Sequence, residues 1–177
     1  MAGDREEAPV LYEEHLPFPL ALLAAVVLVF AAGSMLVLFF LQVTGGPLGS
    51  RPAPDFVYLL MFFFMAALTW LVAGFRRLSI RATTGSITLR CGLFRWRVHW
   101  EDVEDCFVDN APGLRYGGWG VRLARFGGQW RLAFNTPGVT GVVLRLRRGR
   151  VRQVMFSTAS PDTVLGIVRR QAGLAAG

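Results

Sequence analysis

The sequence predicts a membrane α-helical hairpin joined to a mainly-β barrel that a C-terminal α-helix caps. Two uncharged apolar runs come first, short segments of alternating polarity follow, and the last segment switches to helical spacing between cap residues. Composition agrees, because 53% hydrophobic and 18% charged residues, with mean hydropathy +0.43, are too apolar for an ordinary soluble domain.

Residues 1–15 form an acidic tail in which Arg5 faces five acids. The runs Pro17 to Val43 and Phe56 to Phe75 contain no charged side chain. Each reaches the roughly 20 residues that a helix needs to cross about 30 Å of hydrocarbon. Transmembrane helices are therefore expected over residues 16–43 and 56–75. A signal peptide is the competing reading of the first run. It wants a basic head and an apolar stretch of only about 7–15 residues, and this segment has neither.

The loop over residues 44–55 holds Gly45, Gly46 and Gly49 with Pro47, Pro52 and Pro54, a turn composition. The two helices are thus antiparallel neighbours, with both ends of the chain on one side. Arg51 is the only basic residue of the loop, whereas Arg76, Arg77 and Arg81 follow the second helix as a membrane-proximal basic anchor. The positive-inside rule then puts both termini in the cytoplasm, on a multi-pass protein of the inner membrane.

Residues 76–177 are long enough for one domain with its own core. "RLSIRAT" and "SITLRC" alternate around Thr84-Gly85, and "FRWRVHW" sets Phe94, Trp96, Val98 and Trp100 against Arg95, Arg97 and His99. "DCFVD", "GVRLARF", "QWRLAF", "GVVLRLR" and "RVRQVMFS" continue the pattern, with turn residues between them. Strands at this spacing argue for an antiparallel barrel or sandwich, its aromatics on the core side, able to fold from about Arg77 onward. "SPDTVLGIVRRQAG" then offers Ser160 as cap, Pro161 at the first helical position, an apolar stripe through Val164, Leu165, Ile167 and Val168, and Gly173 as the stop.

A two-helix membrane hairpin followed by "ITLRCGLFRWRVHWEDVEDC" resembles the bacterial pleckstrin-homology-like (PH-like) membrane proteins. The likeness rests on Ile87 to Gly92, on Trp100 to Val103, on Gly118 to Gly120 and on the closing "FSTASPDTVLGIV". It covers Arg76 to Arg170, and the hairpin only by layout. The resemblance implies a PH-like barrel in a membrane setting, in a family few of whose members have an assigned activity. The first hairpin loop, "ATTGS", has no basic residue, so the inositol-phosphate pocket of eukaryotic PH domains does not carry over.

The glycines of "LRYGGWGVRLARF" imitate a nucleotide loop. Such a loop needs a helix after it, and strand-like "VRLARF" follows instead. With no lysine in the chain, a Walker loop is excluded. The acids Glu101, Asp102, Glu104 and Asp105 crowd one turn, where a solvated face explains them better than a paired-carboxylate site. No nucleophile–base set is legible, His15 and His99 are badly placed for a shared metal, and Cys91 and Cys106 read as buried free thiols. The expectation is a non-catalytic chain without metal or cofactor.

Charge is the stronger signal. Seventeen of the 19 arginines lie from Arg76 onward, against six acids. Arg147, Arg148, Arg150 and Arg152 crowd one predicted hairpin and are the candidate contact for anionic lipid or a protein partner. A solvated face in an arginine-biased sequence is the alternative. The sequence therefore predicts a membrane-anchored interaction or structural module. Its expected partners are the bilayer, anionic lipids, and another membrane protein or a second copy. An acidic protein or nucleic acid near the membrane is the second reading, and the anchor argues against nucleic acid.

Overall fold

The computed structural model describes residues 9–46, 49, 52–109, 118–126 and 128–174. The first eight residues, Arg51 and Gly117, which entered the sequence reading, lie outside them. Two units are distinguishable, an apolar helical pair and a β-domain.

In the helical unit, α1 runs Pro19–Gly45 and α2 runs Asp55–Gly74, and both are long and apolar enough to cross a membrane. They differ from core helices of a soluble protein in one respect. Their large side chains point outward, with Phe30 and Trp70 each 74% exposed, and no residue of α2 is buried. The buried positions of α1 are Ala21, Ala25 and Ala32, small residues on one face that permit close approach. Ser34, Thr44 and Thr69 donate to carbonyls one turn back in their own helices, so these hydroxyls need no water. At the turn, the Gln42 amide donates to the Ala53 carbonyl and to Asp55 Oδ1, fastening the end of α1 to the start of α2.

The β-domain begins before the apolar helical pair, which corrects the reading of residues 1–15 as a tail and of the domain as starting at 76. Strand β1, Val10–Pro17, pairs antiparallel with β2, Arg77–Thr83, so the helical pair is inserted between two adjacent strands of one sheet. The eight segments expected to be strands all form them. They are β2, β3 (Ser86–Cys91), β4 (Phe94–His99), β5 (Val103–Asp109), β6 (Gly120–Phe126), β7 (Gln129–Asn135), β8 (Gly141–Leu146) and β9 (Val151–Ser157).

Among the described residues they make two sheets, ordered β1-β2-β3-β4 and β5-β8-β9-β7-β6, and neither closes on itself or on the other. The barrel expectation is corrected accordingly, and so is the all-antiparallel one. After β7 the chain passes one strand position to build β8, and β9 returns into the gap, where it runs parallel to β7. The exposed outer edges carry charge, with Arg95 and Arg97 on β4 and Arg122 and Arg125 on β6, which discourages pairing with another chain.

Alternation fixes the core. Leu78, Ile80 and Ala82 of β2, with Ile87, Leu89 and Cys91 of β3, are buried on the inner face of the first sheet. Val142, Leu144, Val154 and Phe156 are buried on one face of the second, each large side chain worth roughly 1.5–3 kcal/mol. Helix α3, Pro161–Ala172, sits against β5 and β8 and buries Val164, Leu165 and Val168 beside Tyr12, Ala82, Ile87 and Trp100. Pro161 at its start and Gly173 in left-handed conformation at its end act as expected, although the Ser160 side chain makes no cap hydrogen bond. The other face of the second sheet holds Ala133, Val143 and Met155, with an ion pair of Arg131 and Asp109 (2.8 Å) whose guanidinium also donates to Gln153 Oε1.

Two aromatic expectations fail for one reason. Trp130 is 45% exposed and Phe94 54% exposed, because each sits at the start of its strand, beyond the stretch that the opposite layer covers. Gly120 opens β6, which pairs along its length with β7, so the glycine segment leads into a strand and not into a phosphate-binding helix.

A candidate partner-binding cleft

The turn between β8 and β9 is built on Gly149, whose φ of 99° suits glycine. It carries the arginines singled out from sequence, and the structure divides them into two pairs. Arg147 is a brace. Its backbone N–H donates to the Asp102 carbonyl at 2.9 Å and its Nε to the Val103 carbonyl at 3.2 Å, which pins the hairpin to the start of β5. Arg152 folds back and donates to the Arg147 carbonyl. Arg148 and Arg150 make no hydrogen bond or ion pair among the described residues, and both are exposed.

Those two line a cleft of about 420 Å³, a volume within the usual range of ligand sites. Arg97, from β4, and Asp102, from the 3₁₀ turn Trp100–Asp102, share its rim. Its apolar wall is Trp96, Val98, Leu146 and Val151. The cleft is the unclosed corner between the two sheets. On a closed barrel Trp96 would be core, but here it is half-buried and faces the gap.

Trp96 Nε1 is buried and has no acceptor among the described residues. An indole N–H left so costs roughly 1–3 kcal/mol. Three guanidinium groups against one carboxylate leave the rim net cationic. The combination of cationic rim and apolar wall suits an occupant with carboxylates and an apolar group together.

The remaining candidates are dispersed. Arg76 and Arg77 are exposed where α2 gives way to β2, and Arg81 lies on the outer face of the first sheet opposite Glu13. Glu101, Glu104 and Asp105 are exposed, and Asp105 accepts from the Cys106 N–H. His15 bonds to Ser79 on β2 while His99 is opposite Ser86, so register separates the two histidines. Cys91 and Cys106 are buried free thiols; burial raises the first to about 11 and pushes the second up as well.

Sequence reasoning missed Trp96 and Arg97 as cleft residues, since alternation assigns a face without telling whether that face is covered. It also missed Glu14. From β1 its carboxylate accepts from Tyr12 Oη (2.8 Å), Thr158 Oγ1 (2.6 Å) and the Ala159 N–H (2.8 Å), joining β1 to the approach of α3.

No protein-family model, curated protein or solved structure matches this chain.

Proposed function

We propose that this chain is a non-catalytic interaction module anchored in the inner membrane, with its β-domain and both termini in the cytoplasm. The arginine-rimmed cleft takes an acidic segment of a protein partner. The observation that carries the reading is the cleft itself: Arg97, Arg148 and Arg150 around an apolar wall of Trp96, Val98, Leu146 and Val151. Carboxylates of such a segment meet the guanidinium groups, and an apolar side chain rests on Val98, Leu146 and Val151. The orientation is supported by Arg76, Arg77 and Arg81 after the second apolar helix.

The register of the Arg148–Arg150 turn favours protein over lipid. The chain leaves for α1 after Pro17 and returns from α2 at Arg77, and those two residues pair at one end of the first sheet. The Arg148–Arg150 turn is level with Asp102, beyond the opposite end of β4, which is roughly 15 Å further along the strand direction. A PH-like kinship belongs to the same proposal. A run of strands followed by a helix that packs on β5 and β8, beside Tyr12, Ala82 and Ile87 of the first sheet, supports it, and the parallel β7–β9 pair departs from it.

The test uses the full chain in nanodiscs of zwitterionic lipid and a fluorescent peptide alternating Glu and Phe. Binding should weaken with salt, as screening shortens from about 10 Å at 0.1 M to about 3 Å at 1 M. Arg148→Gln with Arg150→Gln should cost about tenfold in affinity. A chain that ignores the peptide at low salt contradicts the reading. Loss of peptide binding in anionic discs would move the contact to lipid.

A further inference from the structure

The turn between β3 and β4 carries a second exposed feature, separate from the cleft. Cys91 and Phe94 pair across Gly92 and Leu93, and Gly92, with φ of 57°, supplies the positive φ that a type II′ turn needs first. Leu93 is 72% exposed and Phe94 54%, so the hairpin tip presents two large apolar side chains. Scattered exposed apolar residues are ordinary, and exposure alone decides nothing.

Register decides it. Leu78 pairs with Leu16 on one side and with Cys91 on the other, and Cys91 pairs with Phe94. The tip therefore stands at the end of the sheet where the chain leaves for α1 and returns from α2. Behind the tip, Arg90 and Arg95 lie directly opposite each other on β3 and β4, both exposed. Like charges so placed repel. Among the described residues neither has an ion pair or hydrogen bond, and Arg76 and Arg77 add exposed charge at the junction. An apolar tip with a cationic collar complements acyl chains beneath anionic head groups.

We infer that Leu93 and Phe94 enter the bilayer interface, with Arg90 and Arg95 at the head groups, as a third attachment beside the two helices. This rests on the reading that α1 and α2 span the bilayer, and the experiment separates the two. The photoreactive residue p-benzoylphenylalanine is placed singly at Leu93, at Phe63 of α2 and at Thr84, in the β2–β3 turn at the opposite end of the sheet. Each full-length protein is reconstituted in vesicles of mixed zwitterionic and anionic phospholipid carrying an alkyne tag, then irradiated.

Lipid should be captured at 63 and 93 and not at 84. Arg90→Gln with Arg95→Gln should lower capture at 93 severalfold in these vesicles and leave it unchanged in purely zwitterionic ones. Capture at 63 with none at 93, or capture at 93 of a second copy of the chain, overturns the inference alone. Absence of capture at 63 overturns the spanning reading, and the inference with it.

Discussion

Glu14 lies on the inward side of β1, a strand at the edge of its sheet, and its carboxylate accepts three hydrogen bonds from Tyr12, Thr158 and Ala159. Thr158 in turn accepts from the Ser160 N–H, so one anion organises the approach to α3 where the Ser160 side chain does not. Negative charge near a helix N-terminus is favourable as well. Glu14→Ala leaves the fully buried Thr158 hydroxyl short of its partner and should cost about 1–3 kcal/mol in thermal or chemical unfolding. An unchanged midpoint would show the clasp to be incidental. Cys91 makes a pH-dependent statement. Burial raises its thiol to about 11, so the fold favours the neutral form. The sign follows: this contribution to stability is full below about pH 8.5, the value of an unfolded thiol, and is lost as pH rises through about 11. Alkylation of Cys91 at pH 8 should be far slower in the native protein than in denaturant, and should accelerate only toward pH 11. Equal rates in both would contradict its burial.

At the level of elements, β1 decides what counts as the domain. Without it the fragment from Arg77 to Gly177 exposes the β2 edge, loses the buried Leu16 and removes the Glu14 carboxylate from Thr158. That fragment should show a weak or absent cooperative melt by circular dichroism. Joining Val10–Phe18 to Arg77 through a short Gly/Ser turn should restore a strand-rich, cooperative melt, and equal stability of the two would contradict the role given to β1. The sequence is legible for β2 to β9 because each alternates over several residues between turn signals, and for α3 because its caps and stripe agree. It is not legible for β1. "VLYEEHLP" does alternate, but its partner lies beyond two apolar helices, and pairing at that distance leaves no local mark. The cleft is half legible for a related reason. The arginine cluster shows in sequence, whereas the division between Arg147, held to the Val103 carbonyl, and Arg148, on the rim, depends on an opening that only the sheet order creates.

Taken whole, the molecule is a β-domain interrupted between adjacent strands by an apolar helical pair. The chain departs and returns at one sheet end, and the Arg148–Arg150 side of the cleft lies beside the other. If the two helices cross the bilayer, the connection between them lies on the far side from every strand of the domain. Single cysteines introduced at Ser50, in that connection, and at Arg148, on the cleft rim, read out both positions in intact cells with a membrane-impermeant maleimide. The native thiols serve as a weak background because both are buried. Ser50→Cys should label from outside, and Arg148→Cys should label only after the membrane is permeabilised. Labelling of both from the same side, or of Arg148→Cys alone in intact cells, would contradict the account.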